Sequence, residues 1–135
     1  MDYVNEGERI VVRLDPGEKV IESLRELREA EEIENGFFFG IGAVDTATLG
    51  HYDVEEQEYR EEEFSGQFEV TSFSGNIGPD KIHAHIQLGK RNFESIGGHC
   101  SGAQVSGTFE IIVFRGETPL EHRLDETTGL DVFDI

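Results

Sequence analysis

The segment Lys81-Ile82-His83-Ala84-His85-Ile86-Gln87-Leu88 alternates polar and apolar residues. On a strand, successive side chains point to opposite faces, so Ile82, Ala84, Ile86 and Leu88 share one face and His83, His85 and Gln87 the other. Two imidazoles two residues apart on one strand face stand side by side and can bind one metal ion. Beyond them, Gly97-Gly98-His99-Cys100 brings a third imidazole at the approach to another strand. If that turn folds back beside the first strand, His83, His85 and His99 converge. Three neutral imidazoles leave a fourth position open for water or substrate, as in catalytic zinc sites. The same His-x-His pattern also suits an ordinary polar sheet face, and spacing alone leaves both readings open.

The other chemically capable residues form no such set. His51 and His122 lie in turn-rich or charged contexts and read as surface residues. Strand alternation turns Cys100 away from His99, so it reads as a small buried thiol rather than a nucleophile. As the only cysteine, it excludes an intrachain disulfide and any multi-cysteine zinc site within one chain. Ser72, Ser74, Ser101 and Ser106 lack a nucleophile-elbow pattern. Gly40-Ile41-Gly42 has no third glycine at the required spacing, no amphipathic helix after it and no Gly-Lys-Ser/Thr. It reads as a strand bulge or a close backbone approach, not a phosphate loop.

The elements that must position these residues follow from periodicity. Ile10, Val12 and Leu14 alternate with Arg9, Val11 and Arg13, a half-buried strand. Asp15-Pro16-Gly17-Glu18 has capping-box spacing, with Asp15 as N-cap and Pro16 at the first helical position. Val20, Ile21, Leu24, Leu27 and Ile33 then predict one long helix from about Gly17 to Ile33, ending near Asn35-Gly36. The remainder reads as strands: Phe37 to Ala43, Val44 to Tyr52, Gln57 to Phe64, Phe68 to Phe73, Lys81 to Leu88, Gln104 to Phe114 and Leu130 to Phe133. Glu55 to Glu63 reads as a solvated acidic hairpin. The sum is an α+β fold, a largely antiparallel sheet with one long helix packed on it, in a single domain over residues 1–135.

Composition narrows the partners. The 135 residues carry 11 Lys plus Arg against 29 Asp plus Glu, a formal charge of −18. Such a surface is soluble through self-repulsion and fits a salt-adapted protein. It has the wrong sign for duplex DNA, where affinity comes largely from neutralising phosphates with Lys and Arg. No apolar run reaches the length of a membrane span, and Met1-Asp2-Tyr3-Val4-Asn5-Glu6 lacks the pattern of a signal peptide. A soluble, cytoplasmic protein is expected.

The order of motifs resembles the prokaryotic members of the PPC domain family (plants and prokaryotes conserved). Ile10 to Leu27 is similar to the family's strand followed by a Gly-Glu-led helix, and Gly40 to Gly50 to its glycine-x-glycine and next strand. Gly66-Gln67-Phe68-Glu69-Val70-Thr71-Ser72-Phe73-Ser74-Gly75 resembles its Gly-x-Phe-Glu-aliphatic segment ending in Ser-Gly. His83 and His85 match its His-x-His, Gly97, Gly98 and His99 its Gly-Gly-His, and Arg123 to Gly129 its closing turn. The resemblance implies a homotrimer and a divalent metal, zinc first, on His83, His85 and His99. It makes Glu69 and Glu110 candidates for supporting or subunit-contact roles. The family's DNA-binding label belongs, in the plant proteins, to a separate Arg-Gly-Arg-Pro hook that enters the minor groove. Here Arg115-Gly116-Glu117 has the wrong third residue. Plant partner contacts involve an Arg where this chain has Gln67.

Three functions follow in rank order. First stands a metal-binding module for a small-molecule or protein ligand. A zinc-dependent enzyme, with Glu69, Glu110 or Gln87 as acid or base, comes second. DNA binding by the domain itself is third. Lys81, Lys90 and Arg91 would make a basic patch only if the fold gathers them.

Overall fold

The computed structural model describes residues 1–135. Strands β1 (Asp2–Asn5) and β2 (Arg9–Leu14) precede helix α1 (Val20–Ala30). Strands β3 (Gly36–Asp53), β4 (Glu58–Ile77), β5 (Ile82–Gly89) and β6 (Ser95–Arg115) follow, and a hairpin of β7 (His122–Asp125) and β8 (Leu130–Phe133) closes the chain. The main sheet runs β1-β2-β6-β3-β4-β5, every pairing antiparallel, and β5 pairs again with β6. One edge of β6 lies against β3. Its other edge takes β5 at its beginning and β2 near its end, so β3, β4, β5 and β6 close on one another into a barrel. The sheet is largely antiparallel, as expected, but the separately expected strands before and after residue 43 are one, as are those on either side of Gly66.

Bulges explain the fusion. The β3–β4 register shifts between Gly40 and Gly42 and between Val44 and Thr46, so the glycine-x-glycine is a bulge within a continuous strand. Alternation carries Phe38, Phe73, Phe109, Ala84, Ile86 and Cys100 into the core. The intervening residues face outward, and among them Phe37, Ile41 and Val4 are 56%, 58% and 62% exposed, beside Phe39, Val11 and Phe114. This contiguous apolar face is larger than the single helix can cover.

The helix is shorter than its pattern suggests. Val20, Ile21, Leu24 and Leu27 form its buried stripe against β6 and β5. It starts at Val20 because Gly17 sits in the left-handed region at φ 89° and the segment before the helix is already tied to β6: Gly17 N–H donates to Val105 O and Val105 N–H to Glu18 O. Asp15 and Glu18 make only half of the expected box, Glu18 Oε2 accepting from Asp15 N–H at 2.7 Å. Glu32, at φ 51°, takes the left-handed cap in place of Gly36, and Ile33 N–H reaches back to Arg28 O at 2.9 Å, a Schellman closure. Gly36 is thereby released to begin β3.

Candidate metal centre

The three histidines meet where β5, β6 and β3 close the barrel. His85 pairs with His99 across β5 and β6, His99 pairs with Gly50 of β3, and His83 stands opposite Asn76 of β4. Paired residues share a face, so all three imidazoles project from the outside of the barrel while Ala84 and Cys100 point in. Ring centroids lie 5.2 Å apart for His83–His85, 5.2 Å for His83–His99 and 5.7 Å for His85–His99. One nitrogen from each ring can be chosen so that all lie within 4.8 Å of one another. Three tetrahedral ligands at zinc distances stand about 3.3–3.5 Å apart, so small side-chain rotations bring this set onto one ion.

Glycine makes the convergence possible. A Cβ on Gly98 would stand 2.6 Å from Gly50 O, and one on Gly97 would stand 2.8 Å from Ile86 O. The ring of Tyr59 folds over Gly50 in the space a side chain would need. Gly98→Ala must therefore push β6 off β3 beside His99. It is expected to cost about 1–3 kcal/mol in chemical denaturation, within the range for overpacked sites.

The electrostatics keep the rings ready to ligate. Burial pushes His83 down to about 4, helped by the positive charge of His99, His85, Lys81 and His122 in their protonated forms. Burial also lowers His99, with His85 acting in the same direction and Glu61 opposing. Neutral imidazole is the ligating form, so the donor set fits a divalent ion at neutral pH. Without metal, a depressed His83 makes stability depend on pH. The unfolded chain takes up the proton first, so the contribution is complete above about 6.5 and is lost as pH falls toward about 4. Thermal melts of metal-free protein should show wild type losing more stability than His83→Gln across that window; parallel curves would contradict this.

The expected supporting carboxylates lie elsewhere. Glu69 pairs with Gly89 at the far end of β5, and Glu110 pairs with Ile41 and Arg13 on the apolar outer face. Gln87 shares the outer face of β5 but pairs with Gly97 and Ser72, one step from the cluster. The group beside His99 is instead Tyr59 and Glu61. The Tyr59 ring meets His99 edge-on at 6.1 Å, and its hydroxyl donates to Glu61 Oε1 at 2.7 Å. Burial, with the Glu61 hydrogen bond, pushes Tyr59 up to about 12, so it remains a donor. The pattern Tyr59-Arg60-Glu61 was available in the sequence, but its place beside His99 depends on the β3–β4 register.

Other residues resolve similarly. Cys100 is buried at the core, and desolvation raises its thiol to about 12, which makes it inert as a nucleophile. His51 is exposed, as expected. His122 is not a surface residue: its side chain is 4% exposed. Lys90 and Arg91 line a cleft of about 900 Å³ with Gln67, Glu69 and Thr71. Lys81 is held at the opposite end of β5 by Asp131 at 3.1 Å, so the three cations form no common patch. No helix is long and apolar enough to cross a membrane.

The family model of the Plants and Prokaryotes Conserved (PCC) domain matches residues 1–116. The chain belongs to the PCC domain family. The match leaves Arg123 to Gly129, read above as the family's closing turn, outside it. A metal-containing protein from Archaeoglobus fulgidus is 31% identical, with a TM-score of 0.85 and 98% of each chain covered. A plant- and prokaryote-conserved protein from Pyrococcus horikoshii is 25% identical with a TM-score of 0.85, covering 96% of this chain and 92% of its own. A candidate DNA-binding protein from Bacteroides thetaiotaomicron has a TM-score of 0.94 at 23% identity, over 98% of this PCC chain and 96% of its own, and shows the shared fold. Bifunctional GlmU proteins of two Synechococcus strains are 27% identical over 104 and 124 residues, 76% and 87% of this chain. The PCC chain spans only 16% and 19% of those curated relatives' length.

Proposed function

We propose that this PCC-domain protein is a cytoplasmic homotrimer of single-domain subunits, each holding one divalent ion, zinc first, on His83, His85 and His99, and that it acts as a metal-dependent binding module. The observation that carries the reading is the donor set itself: three imidazoles with ligand atoms within 4.8 Å and no carboxylate among them. Imidazole suits zinc, whereas magnesium and calcium seek oxygen cages. The metal-containing relative from Archaeoglobus fulgidus supports it. The exposed Phe37, Phe39, Ile41 and Phe114 support the trimer, since an apolar face of this kind is a contact surface. Equilibrium dialysis against zinc tests the metal: one ion per chain is expected, and uptake unchanged in His99→Ala would refute the site.

A zinc-dependent enzyme is the second reading, favoured by Tyr59 and Glu61 beside His99. The Tyr59 hydroxyl has one proton, now given to Glu61; turned from Glu61 toward the open position, it could stabilise charge developing on a substrate oxygen there.

DNA binding ranks third. Candidate DNA-binding proteins stand among the structural neighbours, but the formal charge here is −18 and Lys81 is kept apart from Lys90 and Arg91. In a gel shift with mixed genomic fragments at low salt, where repulsion is least screened, no saturable retention is expected. Tight, sequence-dependent retention would promote DNA binding to first place.

A further inference from the structure

The turn between β5 and β6 is costly in two ways. Phe93 sits in the left-handed region at φ 67°, a conformation that suits glycine and strains a bulky side chain. It is also 95% exposed, which leaves a large apolar ring in water. Nothing in the turn demands this residue. Phe93 N–H donates to Lys90 O at 2.8 Å, Lys90 N–H to Glu94 O at 2.8 Å, and Glu94 N–H to Asn92 Oδ1 at 3.2 Å. These bonds use backbone groups and the Asn92 side chain, so glycine at 93 would close the same turn without the strain. Backbone strain held in a well-tied frame is characteristic of functional positions.

The ring borders the cleft of about 900 Å³ that Lys90 and Arg91 also line, a size that suits a small molecule. Neither cation has a carboxylate within ion-pair distance, whereas Arg9, Arg13, Lys81, Arg115 and Arg123 are all paired. On a chain of formal charge −18, two adjacent free cations make a local attraction for an anion. Gly89, the partner of Glu69, keeps the cleft open. A Cβ there would stand 3.5 Å from Thr71 Cγ2 and 3.7 Å from Glu69 Cβ, ordinary contacts, so a larger side chain would suit the backbone and fill the space. Gly89 lies four residues along β5 from His85, about 13 Å at the strand rise, so this cleft is separate from the histidine cluster.

We propose that this cleft binds a nucleoside monophosphate, with the phosphate on Lys90 and Arg91 and the base stacked on Phe93. A phosphate monoester carries about two negative charges at neutral pH, which the two cations match, and the planar fork of arginine suits its oxygens. An exposed aromatic ring offers a π face to any base. Gln67, Ser95 and Ser106 supply hydrogen-bonding groups for ribose hydroxyls and base edges. Glu69 lines the same cleft and, with the acidic surface around it, repels a polyanion, which restricts the ligand to a single nucleotide. The site is independent of any metal on His83, His85 and His99.

Isothermal titration with AMP tests this on wild type, Phe93→Gly, Lys90→Ala/Arg91→Ala and Gly89→Leu. Wild type should bind one AMP per chain, and equally well whether zinc-loaded or stripped with chelator. Phe93→Gly relieves the left-handed strain and so keeps the fold, but should bind AMP at least about fivefold more weakly, the loss of one stacked base. The double cation variant should lose at least about tenfold, as expected for hydrogen bonds to a charged group, and Gly89→Leu should abolish binding by filling the cleft. Adenosine and inorganic phosphate, each offering part of the contacts, should both bind more weakly than AMP. Wild type that takes up no AMP overturns the proposal, as does an affinity unchanged in Phe93→Gly or in the double cation variant. Inorganic phosphate bound as tightly as AMP removes the stacking role and overturns it as well. AMP binding that needs zinc would place the nucleotide at the histidines instead, and a single-stranded oligoadenylate bound more tightly than AMP would contradict a single-nucleotide site.

Discussion

Replacing both strand histidines, as His83→Ala/His85→Ala, is expected to abolish stoichiometric zinc binding. A complete structural zinc site is worth about 10–16 kcal/mol over four ligands, or roughly 3 kcal/mol per ligand. Removing two of three protein ligands should therefore weaken binding by at least about 10⁴-fold. The fold should survive, because both side chains project outward from the barrel while the core residues Ala84 and Ile86 are untouched. A competition titration with a chromophoric chelator measures the loss, and circular dichroism checks the fold. A double variant that keeps one tightly bound ion would place the metal elsewhere.

The second large effect concerns assembly. Wild type should sediment near 3 × 15.2 kDa, and Phe39→Asp/Ile41→Asp should sediment as a 15.2 kDa chain. Both side chains stand on the outer face, 47% and 58% exposed in the isolated subunit. Burying a large apolar side chain contributes about 1.5–3 kcal/mol, and replacing it with an unpaired charge adds a desolvation cost. Two such changes repeated around a ring of subunits exceed what an ordinary interface can lose. A wild type that sediments as a clean monomer at high salt, where acidic repulsion is screened, would remove the trimer.

Much of the site was legible in the chain. The period-two pattern of Lys81 to Leu88 puts His83 and His85 on one face without reference to anything distant. Gly97-Gly98 marks the backbone approach that brings His99 beside them, and the β5–β6 register then pairs His85 with His99. Cys100 turned inward for the same reason. The burial of His122 is not legible locally, because it is decided by Gly78, far away in sequence, which leaves room for the ring, and by a hairpin anchored on Tyr52 and Lys81. Charged neighbours such as Glu121 and Arg123 describe only the exposed side of that strand. The helix starts later than its capping signals suggest because Gly17 and Glu18 exchange backbone hydrogen bonds with Val105, a pairing that local signals do not contain. Glu69 and Glu110 were drawn toward the site by their chemistry, while register holds them at other places on the sheet.

X-ray absorption at the zinc edge, on protein loaded with one equivalent of zinc, tests the central claim most directly. A first shell of nitrogen and oxygen near 2.0–2.1 Å, with the multiple scattering of three imidazoles, is the expected result, and that imidazole signal should fall in His99→Ala. A sulfur shell near 2.3 Å, a purely oxygen shell without imidazole scattering, or the same spectrum in His99→Ala would contradict a centre built on His83, His85 and His99.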